Sequence, residues 1–183
     1  MRFFDIGRQY EALRSEIQTR IDKVLNEGAF IMGPEVGEFE ERLADYVGVK
    51  HCMGCANGTD ALYLALRALE VGPGDAVFVP TFTFFATAEA VSLCGATPIF
   101  VDVGRRDFNI DPEDLALKIA ELKSRSELRP RAIVSVDLFG LSSNYAAIQK
   151  IADEHGLYVV EDAAQGIGGS DEHNLKNGSF GDI

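Results

Sequence analysis

Positive charge is what the sequence has least of. Its 183 residues hold 17 Lys and Arg against 29 Asp and Glu, a net charge of −12 with a pI near 4.6. That balance argues against a nucleic-acid partner, because release of condensed counterions needs clustered basic side chains. Long hydrophobic runs are missing too. No stretch is long and uncharged enough to span a bilayer, and Met1-Arg2-Phe3-Phe4-Asp5 lacks an apolar segment ending in a small-residue cleavage site, so no membrane partner is expected. Cysteine is scarce and odd in number. Cys52, Cys55 and Cys94 fit reduced thiols in a reducing compartment, and the chain reads as cytoplasmic. Cys52-Met53-Gly54-Cys55 has C-x-x-C spacing without a second ligand pair, and His51, His155 and His173 are scattered, so no metal site is expected and the thiols read as buried. No G-x-G-x-x-G follows the first strand, and neither a P-loop nor a G-x-S-x-G elbow occurs, which removes support for a dinucleotide fold, a nucleoside triphosphatase and an esterase.

What is present suffices for a real core: 46% hydrophobic residues, 25% charged, and a mean hydropathy of +0.01. Leu13, Ile17, Ile21, Val24 and Leu25 form a helical stripe within 8–27, closed by Gly28. Pro34 opens a second helical period through Val36, Phe39, Leu43 and Val47. Residues 1–48 therefore read as a helical lead-in, with Phe3-Phe4 as ordinary apolar residues, and 49–183 as the main domain. There the predicted strands are 51–54, 76–79, 97–101, 132–136 and 157–160, and the predicted helices 59–70, 83–94, 112–123 and 143–155. Continuous apolar strands alternating with helices predict a three-layer α/β/α fold on a mostly parallel sheet, with strand ends gathered on one edge. The charged stretch 123–131, containing Pro130, reads as an exposed connection. At Ser179-Phe180-Gly181-Asp182-Ile183 another strand is expected to begin, and the chain reads as cut there.

Three segments at strand ends could carry chemistry. Asn57-Gly58-Thr59-Asp60 stands between a strand and a helix; a glycine and a hydroxyl at a helix N-terminus suit a phosphate, and equally suit a plain N-cap. Glu161-Asp162-Ala163-Ala164-Gln165 follows a strand, where Asp162 can pair with a protonated ring nitrogen, bind a metal or cap a helix. Pro80-Thr81-Phe82-Thr83-Phe84-Phe85-Ala86-Thr87 offers rings that can stack on a planar cofactor or fill a core.

In order and spacing, these three motifs together resemble the DegT/DnrJ/EryC1/StrS family of sugar aminotransferases. Phe30-Ile31-Met32-Gly33-Pro34-Glu35-Val36 and Phe39-Glu40 look like its N-terminal helices. The resemblance implies the front half of a fold-type I large domain binding pyridoxal 5'-phosphate. Gly58 and Thr59 would then contact the cofactor phosphate, Phe84 would stack on the ring, Asp162 would pair with the ring nitrogen, and Gln165 would reach the ring hydroxyl. It further implies a homodimer, and transfer of an amino group from glutamate to a nucleotide-linked keto sugar in surface polysaccharide or antibiotic sugar biosynthesis. The Asn-Gly-Thr-Asp form looks most like members acting on 3-keto sugars. The Schiff-base lysine is expected beyond Ile183, and Lys176, in a polar turn, does not take its role, so this chain alone is expected to be inactive. The alternatives are a truncated, non-catalytic cofactor- or nucleotide-binding protein and a sugar dehydratase of the same family, with His in place of that lysine.

Overall fold

A computed structural model describes residues 5–125 and 127–183, so Phe3 and Phe4 lie outside the described residues. The chain divides into two compact units: residues up to Tyr46 with Lys50–Gly54, and Val47–Val49 with Cys55–Ile183. Among the described residues no helix is long and apolar enough to cross a membrane.

In the first unit, helix α1 (Ile6–Glu27) ends where Gly28 takes φ 67° and its N–H bonds to the Val24 carbonyl at 3.0 Å. Pro34 occupies the first position of α2 (Pro34–Val47), where a missing N–H costs nothing. Lys23 pairs with Glu35 at 2.8 Å and Arg20 with Glu38 at 3.7 Å, tying the helices together. The predicted strand at 51–54 does not form. That run has no regular secondary structure, and the Gly54 N–H goes to the Glu40 carboxylate at 2.6 Å. A strand is held by a neighbour's backbone, and four residues with no strand beside them gain nothing from extended pairing.

The second unit runs α3 (Gly58–Ala68), β1 (Asp75–Pro80), α4 (Ala86–Leu93), β2 (Thr97–Val101), α5 (Pro112–Arg125), β3 (Arg129–Val136), a 3₁₀ turn (Leu138–Gly140), α6 (Tyr145–His155) and β4 (Tyr158–Asp162). The strands form one parallel sheet in the order β2-β1-β3-β4. Alternate residues serve opposite faces. Val77, Val79, Ala132, Val134 and Val160 pack under α3 and α4, while Ala76, Phe78, Ile133 and Val159 pack under α5 and α6. These are the three α/β/α layers that the sequence predicts. Because the sheet grows from β1 in both directions, the β1 and β3 ends flank a switch point, where a crevice opens at the carboxyl edge.

Three details differ from expectation. β3 begins at Arg129, inside the predicted connection: the register slips between Ala76 and Val77, and a bulge there accommodates Pro130, which has no N–H for a ladder. α4 begins three residues late, leaving the segment 81–85 free as a loop. Of the thiols expected to be buried, Cys94 is, but Cys52 is half-buried and Cys55 is exposed, its Sγ donating to the Asn57 carbonyl at 3.3 Å. At the other end of the unit, Asp182 N–H bonds to the Val159 carbonyl at 2.8 Å and Glu161 N–H to the Ile183 carbonyl at 2.9 Å, laying the last residues along the free edge of β4.

Candidate active site

Helix α3 starts at Gly58 because Asn57, with extended backbone, caps it: the Asn57 side chain accepts from the Asp60 N–H and donates to the Asp60 carboxylate, both at 2.9 Å. The cap satisfies Asp60 and leaves the Gly58 and Thr59 amides without an intrahelical acceptor. A Cβ placed at Gly58 would meet no protein atom, so protein packing does not require a glycine there. Both residues line a cavity of about 340 Å³ at the carboxyl edge of the sheet.

Across that cavity stand the β1–α4 loop and the end of β4. Phe84 is 73% exposed and contributes its ring to the wall. Asp162, the last residue of β4, is half-buried; one carboxylate oxygen accepts from the Thr87 hydroxyl at 3.2 Å and the other from the Ala164 N–H at 3.3 Å. Burial, with the negative charge of Asp137 behind it, pushes the Asp162 carboxyl up from its ordinary value, against the pull of those two hydrogen bonds. Among the described residues nothing positive offsets that shift. The Gln165 side-chain oxygen accepts from the Phe139 N–H at 2.7 Å, leaving its NH₂ as the free donor end. Phe139 and Gly140 both hold positive φ, 57° and 88°, and a Cβ at Gly140 would come within 3.2 Å of the Gln165 carbonyl.

Gly58, Thr59, Phe84, Asp162 and Gln165 thus line one cavity, together with Asn57, Leu62, Thr83 and Val136. Thr87, to which the sequence alone assigns no role, stands behind them. It is buried, bonded to Thr83 Oγ1 at 3.0 Å as well as to Asp162, and its signal was the four-residue spacing of two threonines at a helix start.

The DegT/DnrJ/EryC1/StrS aminotransferase family model matches residues 11–183. The chain belongs to that family. It is 46% identical over 168 residues to the UDP-2-acetamido-2-deoxy-3-oxo-D-glucuronate aminotransferase of Pseudomonas aeruginosa, covering 92% of this chain and 45% of that protein. A solved DegT DnrJ EryC1 StrS aminotransferase from Brucella abortus superposes with a TM-score of 0.96 at 49% identity, covering 99% of this chain and 48% of the other. The PLP form of the putative sugar aminotransferase Spr1654 of Streptococcus pneumoniae gives a TM-score of 0.81 at 28% identity, over 90% of this chain and 44% of that one. The chain spans about half the length of the DegT-family relatives it matches.

Proposed function

We propose that this chain is the cofactor-binding part of an aminotransferase that moves an amino group from glutamate to the 3-keto group of a UDP-linked sugar, acting as a cytoplasmic homodimer. The observation that carries the reading is the convergence of three separate segments, at 57–59, 83–86 and 162–165, on one cavity. The donor set suits pyridoxal phosphate. Two unpaired helix-terminal amides and a hydroxyl face the phosphate end, and a half-buried carboxylate without a cation stands at the ring end. The substrate follows the Pseudomonas aeruginosa relative, which acts on a UDP-linked 3-oxo sugar.

Bound pyridoxal phosphate would supply an electron sink for carbon–hydrogen bond cleavage. The chain's own residues hold and tune it. Gly58 and Thr59 would bind its phosphate, Phe84 would pack on the ring and exclude water, Asp162 would hold a proton at the ring nitrogen, and the Gln165 NH₂ would orient the ring hydroxyl. Thr87 keeps the Asp162 carboxylate turned toward the cavity. The proton-shuttling lysine would belong to the part of the relatives' length that this chain does not span.

The test is to load the complete gene product with pyridoxal phosphate and add glutamate. A shift of the cofactor's absorbance to its amino form, then an amino sugar on addition of the UDP-linked 3-keto sugar, is the expected result. Water loss from the sugar with no response to glutamate would assign a dehydratase instead, and failure to retain cofactor would leave a binding fragment.

A further inference from the structure

The face of β3 and β4 turned away from the cavity carries its own cluster. Ser135 pairs with Glu161 across the two strands, and Asp137, two residues beyond Ser135, continues the same face. Asp137 is fully buried. Its Oδ1 accepts from the Tyr145 hydroxyl at 2.8 Å and from the Ser143 N–H at 3.0 Å. Its Oδ2 has no hydrogen-bond donor among the described residues, and Glu161 is its diagonal neighbour on that face of the paired strands. Glu161 accepts backbone N–H groups at both oxygens, from Gly178 at 2.6 Å and from Phe180 at 2.7 Å, and the Phe180 ring stacks on Tyr145 at 4.3 Å.

The titratable groups that α6 and β4 turn toward this pair are phenolic and acidic, and Lys176 stands at the start of the turn whose Gly178 and Phe180 amides hold Glu161. Tyr145 from α6 faces both carboxyls, and Asp162, next along β4 on the opposite face, feels the charge of Asp137. A buried and a half-buried carboxylate side by side repel, and each forfeits solvation. One proton removes both problems, since a protonated Glu161 donates to the orphaned Oδ2.

We propose that Glu161 keeps its proton at neutral pH and donates it to Asp137 Oδ2, and that the pair is a positioning device fixing the end of β4, whose other face presents Asp162 to the cavity. The Asp137 N–H also bonds to the Asp162 carbonyl at 3.1 Å, so the pair holds that residue from its side chain's back and from its backbone. In agreement, burial first and Asp137 after it push the Glu161 carboxyl up to about 8, against the pull of the two amides. The proton stands apart from the transaminase reading, because no part of it needs the cofactor; the positioning of Asp162 rests on that reading.

Infrared spectroscopy of the complete gene product without cofactor tests the proton, on wild type, Glu161→Gln and Asp137→Asn. Wild type is expected to show a protonated-carboxyl band at about pH 6 that titrates away with a midpoint near 8. Glu161→Gln should lack it. Asp137→Asn should lack it as well, since a permanent amide donor then replaces the proton and Glu161 ionises. Absence of the band in wild type, or its persistence in Asp137→Asn, overturns the protonated Glu161; should Glu161→Gln not fold, the Asp137→Asn comparison decides alone. Positioning is read from pyridoxal phosphate affinity against pH: it should fall severalfold above about pH 8 in wild type and hold in Asp137→Asn. Parallel profiles overturn the positioning role and leave the site assignment standing.

Discussion

Asp162 has a hydroxyl, an amide and a neighbouring acid around it, and they act on its charge in opposite senses. A cationic ring nitrogen would tip that balance to the ionised form, which is what the proposed site needs. Asp162→Asn keeps the shape and removes the charge, so it should weaken cofactor binding by about 10- to 100-fold, the worth of one hydrogen bond to a charged group. Titration of the cofactor followed by its absorbance checks this, and undiminished affinity would remove Asp162 from the site. Thr87→Val deletes the hydroxyl that turns the carboxylate and should cost about 1 kcal/mol of the same binding, a loss that Thr87→Ser should largely restore. Neither role is visible in residue type alone. An aspartate after an apolar strand reads equally as cap, ligand or ring partner until its neighbours are known.

The start of α3 separates folding from binding within a single element. Asn57 carries the cap, so Asn57→Ala should lower stability by about 1 kcal/mol, seen as a reduced urea midpoint. Gly58 occupies the first helical position, with open space where a side chain's first carbon would stand, so Gly58→Ala should leave stability unchanged or raise it by up to about 1 kcal/mol. The same methyl group stands at the mouth of the phosphate end and should reduce affinity for inorganic phosphate and for the cofactor. Equal affinity in Gly58→Ala and wild type would return this segment to an ordinary N-cap, the other reading open at the sequence level. At the far end of the sheet, Asp75 joins β1 to β3: it is buried, accepts from the Gly72 N–H at 3.0 Å and pairs with Arg129 at 2.8 Å. That pair spans 54 residues and anchors the bulged start of β3, the part of the strand that its proline and charges conceal in the sequence.

Over the whole chain, a buried and a half-buried carboxyl set opposite limits on pH. Burial pushes Asp75 up, but the Arg129 guanidinium, the Gly72 N–H and the charge of Arg131 outweigh it and hold the carboxyl below its ordinary value. Its contribution to stability is therefore present above about pH 4 and is lost as pH falls further. Glu161 is held up at about 8, so its contribution is complete below about pH 4 and is lost as pH rises toward 8. The net charge of −12 adds self-repulsion in the same direction. Thermal unfolding measured across pH should give its highest Tm on the acid side of neutrality, near about pH 5, with a decline toward pH 8. A maximum at pH 8 or above would contradict the state assigned to Glu161. The layered architecture, the direction of the strands and the segments that line the candidate cavity were legible in the sequence, because hydrophobic period and helix-start chemistry are local properties carried by neighbouring residues. Pairing is not local. The failed strand at 51–54, the order β2-β1-β3-β4, the bond from Thr87 to Asp162 across 75 residues, and the meeting of Asp137 with Glu161 depend on which backbone and which side chain arrive alongside. Only the folded chain determines that, since a strand's or a carboxyl's energy is set by the partner it finds.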